Sequence, residues 1–115
     1  MSKKAFTALA ILAWLPMVSL AASDAELSRK ILGSWLYKKI ETYKANGIWI
    51  LWDPKVEPTR PVPGQLSWHI KNGHLIRVRD GNRFDDIITE LTAEKMVLTS
   101  TEGGQAVYER VKTPR

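Results

Sequence analysis

Three groups of side chains have the types that chemistry would require. His69 and His74 flank Asn72-Gly73, so a hairpin built on that turn brings them to opposite strands. Two imidazoles still need a third ligand to hold a metal, and the nearest carboxylate in sequence is Asp80. Zinc sites cluster their ligands more tightly than this, so both histidines read as solvent-facing strand residues. Asp85 and Asp86, with Glu90 nearby, form the second group. Paired carboxylates do acid–base work when they converge at a set separation, whereas neighbours on a strand point to opposite faces. Ser67 and Ser100 stand in no nucleophile motif, and no glycine-rich phosphate loop is present. The sequence therefore predicts no catalytic residue, no metal site and no cofactor.

Trp49 and Trp52 suggest binding rather than catalysis. They lie in Ile48–Trp52, which is apolar at every position and must be covered on both faces or expose aromatic surface on one. After it, Asp53 to Gly64 contains Pro54, Pro58, Pro61 and Pro63. Proline cannot donate to a ladder, so this stretch reads as a long, stiff loop. A tryptophan exposed beside such a loop would form an apolar contact patch.

The elements that position these residues follow from period and punctuation. Asp24 to Leu32 reads as a short helix capped by Ser23 or Asp24, with Arg29 and Lys30 in its last turn and Gly33 ending it. From Ser34 to Lys44 the period is two, with Trp35, Tyr37, Lys39, Glu41 and Tyr43 on one face, and this predicts one strand. Asn46-Gly47, Asn72-Gly73, Asp80-Gly81-Asn82, Thr92–Lys95 and Glu102–Gly104 read as turns. They divide further strands at Ile48–Trp52, Gln65–Ile70, Leu75–Arg79, Asp86–Leu91, Met96–Thr99 and Gln105–Val111. Leu66, Trp68 and Ile70 alternate inward. About seven short strands at ten-residue spacing, after one short helix, predict an all-β antiparallel meander that closes into a small barrel.

The chain of 115 residues is long enough for one domain. Lys3 and Lys4, the apolar run from Ala5 to Leu15, Pro16 and the small residues Ser19 to Ala22 have the pattern of a signal peptide cleaved near Ala21 or Ala22. The expected organisation is a signal peptide over 1–21 and a domain over 22–115, periplasmic or secreted, with no membrane anchor after cleavage. No cysteine follows the apolar run, which excludes a lipobox anchor and leaves the domain to hold together by packing alone. Fifteen of the seventeen basic residues and all twelve acidic ones fall after Ala21, a net charge of +3. The basic residues are scattered and match no groove-reading motif, so nucleic acid is not an expected partner.

Several of these pieces resemble the lipocalin-like (calycin) proteins, in particular small lipocalin-like domains of bacterial exported proteins. Gly33-Ser34-Trp35 resembles the G-x-W at the start of the family's first strand. Asn46-Gly47 before an aromatic strand, and Gly64 to Leu75 with its central tryptophan, resemble later strands. Tyr108-Glu109-Arg110-Val111 is similar to the closing strand, whose arginine packs over the first-strand tryptophan in that family. The resemblance implies a structural role for Gly33, Trp35 and Arg110. It also implies a non-enzymatic domain holding a small apolar ligand in the barrel interior, lined by Leu66, Trp68, Ile70, Leu98 and one face of the strand carrying Trp49 and Trp52. The alternative is a module with a solid core that binds another exported protein, as an inhibitor or immunity-type partner, through the Trp49–Pro63 edge.

Overall fold

The computed structural model describes residues 22–56 and 59–114. The expected signal peptide over 1–21 lies outside the described residues. One helix and eight antiparallel strands follow one another: α1 (Asp24–Lys30), β1 (Gly33–Leu36), β2 (Ile40–Tyr43), β3 (Trp49–Trp52), β4 (Leu66–Lys71), β5 (His74–Arg79), β6 (Asn82–Leu91), β7 (Lys95–Ser100) and β8 (Gln105–Val111). They form one sheet in the order β3-β2-β1-β8-β7-β6-β5-β4, curled into a nearly closed barrel.

Eight strands replace the expected seven because Ser34–Lys44 is a hairpin. Leu36 pairs with Ile40 across the three residues Tyr37-Lys38-Lys39. A loop of odd length returns the chain in the same parity, so the period-two pattern runs through the turn unbroken. Strand β6 also begins earlier than expected, at Asn82, because the β5–β6 connection is only Asp80-Gly81, both at positive φ (50° and 86°). Asn72-Gly73 makes the same two-residue turn between β4 and β5, with φ of 54° and 77°.

The seam between β3 and β4 is closed by few bonds. Trp68 N–H donates to the Gly47 carbonyl at 3.0 Å, and Ile48 bridges Ser67. Farther along, the proline loop lies beside β3: Val62 N–H donates to the Leu51 carbonyl at 2.7 Å, and Pro61 bridges Trp52. The loop thus supplies a donor to an edge that would otherwise be unpaired.

One end of the barrel is plugged by α1. A capping box between Ser23 and Glu26 starts the helix, and Leu27 and Ile31 bury its apolar side. The Asp24 carboxylate accepts the N–H groups of Asn72 (2.8 Å) and Gly73 (2.9 Å), pinning the helix to the β4–β5 turn. Trp35 is fully buried, donates Nε1 to the Ile31 carbonyl at 2.8 Å, and lies 4.1 Å beneath the Arg110 guanidinium. Arg110 in turn donates to the carbonyls of Leu32, Lys30 and Ala93. Gly33 takes φ +115°, and a Cβ there would stand 2.7 Å from Arg110 Nη1, so glycine is required on both counts.

Above this plug the inward residues pack a solid lower half, including Tyr43, Trp68, Leu75, Ile88, Met96 and Leu98. A bulge at Thr89 turns both Ile88 and Leu91 toward that core. The opposite end carries the turns Tyr37–Lys39, Asp80-Gly81 and Thr101–Gly104, and it is there that the interior becomes polar.

Candidate functional site

Cross-strand register dictates which residues share the upper interior. Arg77 lies opposite Trp68 on β4 and Phe84 on β6, so it faces inward with them. Glu41 is opposite Trp35 and Leu51, Asp86 is opposite Leu75 and Ser100, and Tyr108 is opposite Met96. Four strands therefore bring their ionisable or hydroxyl groups to one point.

Arg77 is the centre of this cluster and is 8% exposed. Its Nη1 donates to Glu41 Oε1 at 2.7 Å, and its Nη2 donates to Asp86 Oδ2 at 2.6 Å. Glu41 Oε1 also accepts the Tyr43 hydroxyl at 2.7 Å and the Trp49 indole N–H at 3.1 Å. The Tyr43 and Tyr108 hydroxyls each stand 3.5 Å from Nη1, and the guanidinium carbon lies 5.5 Å from the centre of the Trp49 ring. Arg77 Nε is buried with no partner among the described residues. Two carboxylates on one guanidinium leave the buried cluster with an excess negative charge, and the ring of donors on Glu41 offsets its desolvation.

These contacts fix protonation. Burial alone would lower the Arg77 pKa, but the oxygens of Tyr43, Glu41 and Tyr108 outweigh it and hold the guanidinium above its ordinary value. Burial and then the Glu41 charge push the Tyr43 phenol well above its ordinary value, and the same causes push Tyr108 up to about 12. Both phenols stay neutral: Tyr43 donates to Glu41, and Tyr108 accepts from Arg77 Nη1.

Two open depressions flank the cluster. The first, about 240 Å³, lies between the Tyr37–Lys39 turn, Trp49 and Leu51 of β3, Arg77 and Arg79 of β5, and Phe84 of β6, with Glu41 at its base. The second, about 250 Å³, is walled by Asp86, Leu98, Ser100, Gly104, Gln105, Ala106 and Tyr108. Arg77 borders one and its partner Asp86 the other. Phe84 faces inward by register and Tyr37 borders the same depression from the β1–β2 turn, yet they are 45% and 46% exposed, which leaves two part-exposed aromatic walls at the mouth. Tyr37 rests against Tyr108, with ring centres 5.3 Å apart.

The residues expected to line a ligand site divide between two faces. Trp49, Leu66, Trp68, Ile70 and Leu98 point inward. Trp68 packs edge-on to Tyr43, donates to the Lys44 carbonyl at 2.9 Å and belongs to the solid lower core, with Leu66 and Ile70 beside it. Trp49 and Leu98 reach the depressions. Trp52 stands on the outer face, where its Nε1 donates to Thr42 Oγ1 at 3.0 Å. Of the two alternatives for the β3 edge, the covered one holds: Trp49 is 5% and Trp52 8% exposed, the first turned inward and the second paired in the ladder with Pro61 of the proline loop.

His69 and His74 do not oppose one another. His69 lies opposite Ile76, and His74 lies opposite Lys71 while its Nδ1 sits 2.7 Å from Asp85. Asp85 and Asp86 diverge to the outer and inner faces, to His74 and Arg77 respectively. Among the described residues no group of three or more His, Cys, Asp and Glu side chains converges as a metal site. Sequence reasoning passed over Glu41, Arg77 and Phe84 as site residues, and weighed Asp86 only as one of a carboxylate pair with Asp85. The signal was the inward parity that Arg77 shares with Leu75 and Trp68, masked because a charged residue on a short strand is ordinarily solvated.

Comparison with protein-family models, with curated proteins and with solved structures finds no match to this chain.

Proposed function

We propose that this is an exported, non-enzymatic domain of lipocalin-like architecture that binds a small, largely apolar molecule at the open end of its barrel. The observation that carries the reading is the pair Tyr37 and Phe84, aromatic rings that border one depression and are nearly half exposed above a hydrogen-bonded floor centred on Glu41 and Arg77. Apolar walls with a few fixed polar groups are the usual make-up of small-molecule sites. The eight-stranded antiparallel order and the Trp35–Arg110 contact support the lipocalin-like assignment, and the Lys3–Ala22 pattern supports export.

The site differs in position from a ligand buried in the centre of the barrel, because Trp68, Leu75 and Met96 fill that volume. Titration with the neutral fluorophore N-phenyl-1-naphthylamine tests the reading. Saturable binding, with quenching of the Trp49 emission and loss in Phe84→Glu at unchanged thermal stability, is expected. A linear, non-saturating response would refute it.

A further inference from the structure

We infer that the first depression selects organic anions: an apolar body against Phe84 and Leu51, and a carboxylate or sulfonate at Arg79 and Lys38. This deepens the binding reading above and rests on it.

The inference comes from asking which charges at the mouth are already neutralised. Arg77 is the obvious anion receptor by position, but both of its terminal nitrogens are taken, one by Glu41 at 2.7 Å and one by Asp86 at 2.6 Å. Lys39 is engaged with Asp53 at 3.6 Å. The nearest acid to Arg79 in sequence, Asp80, turns its carboxylate onto the Gln65 N–H at 2.8 Å, outside the depression. Lys38 and Arg79 border the depression and make no ion pair among the described residues. Lys38 lies instead 5.7 Å from the Tyr37 ring centre, held over the aromatic wall.

Among the described residues the only acid lining this depression is Glu41, which accepts three donors on one oxygen and shares Arg77 with Asp86, whose carboxylate borders the second depression instead. A concave surface with low-dielectric walls focuses the field of the cations that remain. The aromatic wall and the two cations are adjacent, so one ligand of modest size reaches both. The depression, about 240 Å³, lies near the lower end of the range usual for small-molecule sites, which suits a compact bicyclic aromatic acid. The planar guanidinium of Arg79 presents paired donors that match a carboxylate, whereas Lys38 supplies a point charge.

The second depression makes the contrast. Among the described residues its only charged wall residue is Asp86, and its other polar walls include Ser100, Gln105 and Tyr108. An anion there would meet a carboxylate, so the selection belongs to the first depression alone.

The test compares 2-naphthoate with its neutral counterpart 2-naphthylmethanol by titration calorimetry on the domain from residue 22 onward, at pH 7 and low salt. A part-exposed ion pair contributes up to about fivefold in affinity, so two rim cations predict a preference for the acid of about tenfold. Arg79→Gln and Lys38→Gln, each shown by thermal melting to be folded, should each reduce that preference by about threefold and leave 2-naphthylmethanol affinity within about twofold. Arg79→Lys should keep most of the preference, and about 0.5 M salt should erode it. Equal affinity for the two ligands, or a preference that survives both substitutions, overturns the anion inference while leaving the binding reading intact. Failure of both ligands to bind sinks both.

Discussion

The Arg77 guanidinium and the Glu41 carboxylate meet at 2.7 Å inside the barrel, from strands β5 and β2 on opposite walls, with both side chains about nine-tenths buried. The pair ties together parts of the chain that no ladder joins, since β2 and β5 are not neighbours in the sheet. A buried pair of this kind does not guarantee net stability, because desolvation of two ions cancels most of the Coulomb gain. Its asymmetry is what can be measured.

Arg77→Met should cost about 3–5 kcal/mol, because it leaves Glu41 and Asp86 buried without their cation. Glu41→Gln should cost less, since Asp86 still neutralises Arg77 and the amide oxygen still accepts from Tyr43 and Trp49. The double variant should be more stable than the sum of the two losses predicts, by about 1–3 kcal/mol of coupling. Urea unfolding of the four proteins measures this directly, and strict additivity would show that the two charges do not interact.

Arg110→Ala should destabilise the plugged end by about 2–3 kcal/mol, combining the lost contact over Trp35 with carbonyls of Lys30, Leu32 and Ala93 left without their donor. Arg110→Lys restores the charge but not the fork, and should recover less than half. Gly33→Ala should be at least as harmful as Arg110→Ala, because it combines positive φ with a Cβ 2.7 Å from the Arg110 guanidinium. Combining Gly33→Ala with Arg110→Ala relieves that clash, so the double variant should lose less than the two singles together. Thermal melting of the set decides it.

These two clusters differ in how far they could be read from sequence. Trp35 and Arg110 stand at opposite ends of the domain, each inside a short motif, and the turns Asn72-Gly73 and Asp80-Gly81 announce themselves by residue type. The first hairpin does not. Tyr37-Lys38-Lys39 has no glycine, proline or asparagine, and its odd length preserves parity, so neither turn chemistry nor a phase break marks it. Arg77 and Asp86 were hidden for a different reason. Their inward orientation depends on the pairing of β5 with β4 and β6, and a charge is assigned to solvent unless the pairing partner is known. Trp52 was hidden by the reverse rule: it is a large aromatic buried on the outer face, bridged in the ladder by Pro61 and hydrogen-bonded to Thr42.

Alkaline pH should unfold the domain through its buried phenols. The folded pKa of Tyr108, about 12, lies above its ordinary value of 10.0, and Tyr43 is shifted in the same direction. A group whose folded pKa is raised contributes stability that is complete below the unfolded pKa and is lost as pH rises through the folded one. Stability should therefore fall between about pH 10 and pH 12. Tyr43→Phe with Tyr108→Phe should flatten that limb of the curve, at a lower plateau because Glu41 loses the Tyr43 donor. Melting temperature against pH for the wild type and the double variant tests it, and parallel curves would dismiss the phenols as the cause.

Acid should act at the other end of the barrel, through Asp24. Its carboxylate accepts the Gly73 and Asn72 N–H groups, and these hold its pKa below the ordinary 3.8. The sign is opposite to that of the tyrosines: a depressed pKa contributes stability above the unfolded value and loses it as pH falls through the folded one. The contribution of Asp24 should thus be complete above its ordinary pKa of 3.8 and disappear below it, releasing α1 from the β4–β5 turn. Asp24→Asn keeps an oxygen for one of the two N–H groups but has no proton to gain. Its stability should be lower at neutral pH and should converge on the wild type as pH approaches about 2. Hydrogen exchange at the amides of Asn72 and Gly73 reports the same event locally. Protection that is equal in the two proteins at neutral pH would show that the helix is held to the barrel by Leu27 and Ile31 alone.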